Sequence, residues 1–145
     1  MQSFRFRLAK VLEWYTRLYQ EEEVRFGACL AALAESQKAI AALQAERLTI
    51  DHEMVTRKSI AASELMALEL YHLGAKKREL DLNELRERCE SAVREQRAKL
   101  QAAERRVRLL EKLRERRLAE HAYAETKELE ELAADAFFAK WASQA

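Results

Sequence analysis

The chain has 145 residues with no proline and only two glycines, and charged residues make up 35% of it. Because proline and glycine interrupt helices and mark turns, this composition argues against a compact fold with many turns. Abundant helix-forming residues predict one all-α domain of long helices or coiled coils. The net charge of +1 gives the whole chain no strong attraction to nucleic acid or membranes.

Apolar residues in the first third recur at alternating steps of three and four. This spacing predicts a helix over about 4–55 with a coiled-coil seam, meaning the line of side chains that faces a partner helix. The seam weakens where Glu22 and Arg25 fall in register and Phe26 is displaced beside them. Gly27 lies there, either as a small residue at a close helix approach or as a hinge. The predicted seam residues are Phe4, Leu8, Val11, Tyr15, Leu18, Cys29, Leu33, Ile40, Leu43, Ile50 and Met54.

The spacing is lost between Val55 and Ser63, where β-branched and hydroxyl residues gather. This predicts a turn at about 56–62, with Ser59 and Ser63 as candidate helix caps. A second helix is predicted over about 63–142. Gly74 either separates a short helix near the turn from a longer one or lies inside a continuous helix. Its apolar pattern comprises Leu65, Leu68, Tyr71, Leu73, Leu80, Leu82, Leu85, Cys89, Val93, Leu100, Ala103, Val107, Leu110 and Leu113, and continues loosely through Leu118, Leu129, Leu132 and Phe137.

The two segments together predict a long antiparallel coiled-coil hairpin of two helices. Folding the chain about residue 59 brings Cys29 level with Cys89. In a cytosolic protein these cysteines are expected to be reduced and to pack as small apolar residues, and a disulfide is the alternative. The second helix outlasts the first, so about 30 residues are expected to project beyond Met1.

Two sets of apolar residues exceed what a narrow seam can bury, and they are the candidate partner-binding residues. A projecting helix with an apolar face needs a partner to cover it. Near the turn, four large residues cannot all lie on the narrow seam. Those left over either contact a partner or are buried by a short helix that folds back over them. The candidates are Leu129, Leu132, Phe137, Phe138 and Trp141 on the projecting helix, and Leu65, Leu68, Tyr71 and Leu73 near the turn.

No catalytic, cofactor or metal motif is found in the sequence. The three histidines are scattered without ligand spacing, and a two-helix hairpin offers no pocket of its own. We therefore expect a protein that is not an enzyme. The chain has no apolar run of signal length or of the roughly 20 residues that span a bilayer, which favours a soluble cytoplasmic protein.

Charge is polarised along the last part of the chain. Residues 94–117 carry a balance of +6, whereas residues 118–145 carry −4. The basic stretch suggests nucleic acid or an anionic membrane surface as alternative partners. Leucines on one side of the same stretch belong to the seam, so its arginines are read instead as the outer face of a packed helix or a protein-binding surface.

Three stretches resemble the flagellar FliJ family of export-apparatus stalk proteins. An aromatic and basic start, a leucine and valine seam and a glutamate cluster form FRFRLAKVLEWYTRLYQEEEV at Phe4–Val24. The segment Ile60–Leu80 is similar to the family's region after the turn, although Met66 and Glu69 stand where bulkier residues are usual. The end of the chain, ETKELEELAADAFFAKW at Glu125–Trp141, resembles a family tail with Glu, Lys, Leu and an acidic pair before an aromatic, with Glu130 at the usual aspartate position.

The resemblance implies a component of flagellar type III protein export and covers nearly the whole chain. The expected partners are the hexameric export ATPase ring, the membrane-embedded export gate and export chaperones. The protein would be cytoplasmic and peripheral at the inner membrane, without nucleic acid or membrane insertion. A stalk protein of an injection-type secretion system and a generic homo-oligomeric coiled-coil scaffold are the alternatives.

Overall fold

The computed structural model describes residues 2–145 and contains two long α-helices, α1 (Ala9–Thr56) and α2 (Ala62–Gln144). The described residues include no strand. The predicted all-α class and the packing of two long helices are therefore confirmed. α1 begins at Ala9 rather than near residue 4. Gly74 lies inside α2, so no separate short helix forms near the turn in residues 2–145.

Residues 57–61 connect the helices, within the span predicted for the turn. The carbonyl oxygen of Ala61 accepts hydrogen bonds from the amides of Glu64 (3.1 Å) and Leu65 (3.2 Å), which form the first turn of α2. Ala61 rather than a serine therefore precedes the first helical residue. The Glu64 carboxylate lies near the positive end of the helix dipole and pairs with Arg57 at 2.6 Å.

The chain divides into two compact units, and the first comprises Glu21–Gln101, here called the turn unit. It holds the end of α1, the turn and the beginning of α2, packed in antiparallel directions. Interhelix contacts include Arg47 Nη1 to Glu79 Oε2 at 2.7 Å and His72 Nε2 to Asp51 Oδ1 at 3.1 Å. Its buried residues on α1 follow steps of four and three, at Ser36, Ile40 and Leu43. On α2 they are Ala75 and, 18 residues or five helical turns later, Val93, followed after three residues by Gln96.

The register of this packing differs from the prediction. The Asp51–His72 and Phe26–Arg97 contacts are centred between residues 61 and 62, and the Arg47–Glu79 contact on residue 63. The predicted centre was residue 59, which only the pair of Glu22 and Gln96 matches. A shift of the centre by two and a half to four residues moves the pairing by five to eight residues, or roughly 8 to 12 Å along the axis. Both Cys29 and Cys89 are free and half-buried.

The predicted weak point of the seam is also corrected. Glu22 and Phe26 are half-buried and continue the steps of three and four, whereas Arg25 is exposed. A Cβ atom added at Gly27 or Gly74 would meet no atom within 4 Å, so packing inside the chain requires neither glycine. Each sits in a helix interior, where glycine costs about 1 kcal/mol relative to alanine.

The second unit, here called the terminal unit, comprises the chain before Glu21 together with Ala102–Ala145. Ala103 and Val107 of α2 are buried, and Leu12 and Tyr15 of α1 are half-buried. Val11, predicted for the seam, is 39% exposed, because Leu12 takes the inward position. Met1, predicted to lie beside the projecting helix, is outside the described residues.

Candidate protein-binding surfaces

The final 24 residues of the chain, 122–145, are all exposed, and all but the last belong to α2. The residues of the terminal unit before Glu21 contact α2 only as far along as His121: His121 Nε2 lies 3.0 Å from the carbonyl oxygen of Gln2, and the His121 and Phe4 rings meet edge to face at 5.6 Å. Beyond His121, α2 continues as a regular helix, and every side chain that it carries there is exposed.

This exposed end of α2 carries the five residues predicted for the projecting helix. We call it the tail surface, and its large residues are Leu129, Leu132, Phe137, Phe138 and Trp141, all more than half exposed. Leu118, Ala122, Leu129, Leu132 and Ala136 follow steps of three, four or seven and therefore share one face. The Phe137 and Phe138 rings stack edge to face at 6.0 Å. Tyr123 is also exposed, and it was not among the residues predicted to bind a partner.

The four residues predicted near the turn do not form one surface. Leu68 and Tyr71 are half-buried beside α1, whereas Leu65 and Leu73 are 50% and 66% exposed. The exposed group near the turn also includes Met66 and Leu70, which the sequence reasoning did not place among the partner-binding residues. No folded-back helix covers them in residues 2–145.

Tyr71 lies between the two helices with an unsatisfied hydroxyl. Its Oη atom is buried and has no hydrogen-bond partner among the described residues. Burial raises the pKa of Tyr71 above its ordinary value of 10.0, and the nearby Glu46 carboxylate raises it further. Arg47 and Arg78 act in the opposite direction. The Tyr71 hydroxyl therefore stays protonated, and it forms no hydrogen bond with the described residues.

Replacing Tyr71 with phenylalanine is expected to raise the free energy of unfolding, because it removes a hydroxyl that is buried without a hydrogen-bond partner. Urea unfolding followed by circular dichroism measures this change. The gain should be constant below pH 10.0 and grow above it, since the wild-type protein loses stability as pH rises through the raised pKa of Tyr71 whereas phenylalanine does not titrate. Tyr123→Phe, at an exposed hydroxyl, is the control and should change nothing. A destabilised Tyr71→Phe protein would contradict this account.

An open groove lies where the first residues of the terminal unit cross α2. It has a volume of about 1180 Å³ and is bordered by arginines (Arg5, Arg7 and Arg117) and by apolar side chains (Phe4, Phe6, Leu8 and Leu113). Arg117 Nη1 lies 3.4 Å from Glu120 Oε2, so one of the three arginines is already paired. The groove is wide and half open, and it brings together no set of catalytic groups.

The basic stretch at 94–117 presents its charges outward. Apart from half-buried Glu104, its charged residues are exposed, while Val107 and Ala103 are buried on the opposite side of the helix. Two of the arginines form ion pairs within α2, Arg108 with Glu104 at 2.5 Å and Arg117 with Glu120 at 3.4 Å. The arginines therefore form the solvent face of a packed helix, as the sequence reasoning favoured.

With the geometry described, the chain was compared with known proteins. No family model, curated protein or solved structure matches it. The search for metal-binding groups found no cluster of three or more His, Cys, Asp or Glu in residues 2–145. Function must therefore be argued from the surfaces and from the resemblance of the three sequence stretches.

One expectation about membranes needs correction. α1 contains a stretch with a mean hydropathy of 1.2, which by length and composition alone is apolar enough to cross a bilayer. The sequence reasoning had found no such stretch. The same helix carries the buried seam residues Ser36, Ile40 and Leu43, and packed helices of soluble proteins pass the same test. We therefore assign no membrane role to α1 from this feature.

Proposed function

We propose that this protein is a stalk of a flagellar type III export apparatus, which binds the export ATPase ring and the export gate and couples ATP hydrolysis to protein export. The resemblance to the FliJ family supports the setting. The observation that carries the binding role is the tail surface, where five large apolar side chains lie in water on one regular helix. Leu129 and Leu132 share one face of this helix and the three aromatic residues lie largely on the opposite side, and exposed apolar side chains of this size favour burial against another protein.

In this proposal the tail surface enters the ATPase ring. Aromatic residues such as Phe137, Phe138 and Trp141 bury large areas and often dominate the energy of protein interfaces. The six acidic residues of 118–145 provide a charge pattern that a basic lining of the ring would complement. Because one stalk contacts six equivalent subunits unequally, its binding favours different conformations in different subunits and links their hydrolysis steps.

The exposed residues near the turn, including Leu65 and Leu73, are the proposed contact with the export gate. The protein would then work at the cytoplasmic face of the inner membrane as a peripheral component. Export chaperones are proposed as further partners. No residue of the chain is assigned a catalytic role, since hydrolysis belongs to the ATPase.

The test is ATP hydrolysis by the matching export ATPase with and without this protein, together with co-purification of the two. The intact chain should form a complex and stimulate hydrolysis. The double substitution Leu129→Glu with Leu132→Glu should weaken binding roughly 100-fold or more, because each leucine buried in the interface contributes about 2 kcal/mol. Stimulation should fall accordingly.

Leu109→Glu provides the matched control, because Leu109 is equally exposed on α2 but lies outside the tail surface. It should leave complex formation and stimulation unchanged. If the intact, helical protein neither binds nor stimulates the ATPase, the stalk proposal fails. If the tail and control variants behave alike, the assignment of the tail surface to the ring fails.

A further inference from the structure

A second apolar line runs along α2 in the turn unit, here called the outer stripe. It consists of Met66, Leu70, Leu73 and Leu80, all of which are more than 60% exposed. Their positions differ by four, three and seven residues, and Lys77 occupies the remaining heptad position. This is the spacing of a coiled-coil seam.

The outer stripe faces away from α1. Leu70, Leu73 and Leu80 each lie two positions before a buried or half-buried residue of the inner seam, namely His72, Ala75 and Leu82. Two residues correspond to about 200° around an α-helix. This part of α2 is therefore apolar on two opposite faces, and only one of them is covered by α1.

Small residues flank one side of the outer stripe. Ala67 and Gly74 are both exposed and lie seven residues apart, each directly after a stripe residue. Gly74 weakens the helix relative to alanine, and no atom of the chain occupies the space above it. A glycine in this position suits a second helix backbone that approaches closely from outside the chain.

Opposite charges flank the other side. Glu69 and Lys76 are exposed and also seven residues apart, each directly before a heptad position of the stripe. The centre of the stripe, Leu70 with Leu73, is therefore self-complementary about a point between residues 71 and 72, whereas Met66 falls opposite Lys77 and Leu80 opposite Ser63 of a second copy. The flanking pairs are centred one residue to either side of that point, as flanking positions of an antiparallel coiled coil are. If a second copy lies antiparallel about that point, Leu70 packs against Leu73 of the second copy. Glu69 then faces Lys76 of the second copy, and Ala67 faces Gly74 of the second copy.

We propose that the outer stripe is a self-association surface, through which two copies of this chain form an antiparallel dimer with two-fold symmetry. In such an isologous contact each pairing occurs twice, so both Glu69–Lys76 pairs are favourable and both glycines meet small residues. Binding to a helix of unrelated sequence would not require opposite charges on the two sides of the midpoint, whereas binding to a second copy does. The outer stripe is distinct from the tail surface proposed for the ATPase. It shares Leu73 with the proposed gate contact, so the dimer and the gate complex would exclude each other.

The test is charge reversal in the intact chain, followed by sedimentation velocity over a concentration series at low salt. The wild-type protein should change from monomer to dimer as concentration rises. Glu69→Lys or Lys76→Glu alone should weaken self-association roughly tenfold or more, because each places two like-charged pairs across the axis. The double substitution Glu69→Lys with Lys76→Glu should restore it.

A second variant tests the apolar part of the surface. Leu70→Glu with Leu73→Glu should leave the protein monomeric at every concentration, while Leu129→Glu with Leu132→Glu on the tail surface should leave the dimer intact. Circular dichroism checks that each variant remains helical. A wild-type protein that stays monomeric, or a dimer unaffected by the stripe variants or dissolved by the tail variants, overturns the proposal. These measurements need no ATPase, so they stand or fall independently of the proposed function.

Discussion

Leu43→Ala is expected to lower the free energy of unfolding of the turn unit by about 2 to 4 kcal/mol. Leu43 is 3% exposed, and it is one of few large side chains that are buried in the described chain, together with Ile40, Val93 and Val107. Removing three carbon atoms there loses the transfer energy of the side chain and leaves a cavity between two long helices. Because so few large residues are buried, neighbouring contacts offer little compensation.

Urea unfolding followed by circular dichroism measures this loss. Leu48→Ala is the matched control, since it makes the same chemical change on the same helix at a side chain that is 71% exposed. The control should change stability by less than about 0.5 kcal/mol, because alanine also favours the helix. Equal losses at the two positions would show that Leu43 is not a buried seam residue.

The spacing of apolar residues was sufficient to predict the helices and part of their packing. Ile40, Leu43, Val93, Ala103 and Val107 were all assigned to the seam, and all are buried. The near absence of glycine and proline left one place for the turn, and the connection lies there at residues 57–61. These features follow from local composition and periodicity, which the sequence contains directly.

Polar seam residues could not be found by the same reasoning. Ser36 and Gln96 are buried, yet an apolar pattern passes over both. The signal existed in the spacing, because Ser36 continues the steps from Leu33 to Ile40 and Gln96 those from Val93 to Leu100. Ser36 satisfies its hydroxyl by donating to the carbonyl oxygen of Leu33 at 2.8 Å. Burial of such a residue depends on hydrogen bonds that periodicity alone does not reveal.

The sequence prediction also assigned two opposite faces of α2 near the turn to a single seam, again because it followed only apolar residues. Leu73 and Leu80 were assigned to the same seam as Leu68 and Leu82, although they lie on the opposite side of the helix. The true seam passes through His72 and Glu79, whose polar side chains pair with Asp51 and Arg47 on α1. An apolar pattern followed the leucines instead and so missed the outer stripe.

The polar pair of Glu22 and Gln96 is expected to contribute strongly to the pairing of α1 with α2. Glu22 and Gln96 meet between the helices, with the Gln96 Nε2 amide donating to the Glu22 carboxylate. Arg25 Nη1 donates to the other carboxylate oxygen at 3.0 Å. Gln96 is 8% exposed and the Glu22 side chain is 18% exposed. The Gln96 amide thus depends on Glu22, whose backbone carbonyl oxygen also lies 3.5 Å away, for hydrogen bonds that water supplies poorly at this site, whereas Glu22 is also bonded by Arg25.

Replacement of Glu22 by leucine is expected to cost about 1 to 3 kcal/mol in the free energy of unfolding, because the Gln96 amide stays buried without the carboxylate. Replacement of Gln96 by leucine should cost less, because the Glu22 carboxylate keeps its hydrogen bond from Arg25. The double substitution Glu22→Leu with Gln96→Leu should be close to neutral or stabilising, since it replaces the pair by apolar groups in a seam. The double-mutant cycle therefore predicts a coupling energy of about 1 to 3 kcal/mol.

Urea unfolding of the four proteins measures that coupling. Glu23→Leu with Glu95→Leu is the control, because each position adjoins one member of the pair but points to solvent. Its cycle should show additive effects within about 0.5 kcal/mol. Additive losses at Glu22 and Gln96 would mean that the two side chains do not meet in solution. Strong coupling there would instead identify the pair as the contact that selects this pairing of α1 with α2, since a slip along the helices would bury both groups without a partner.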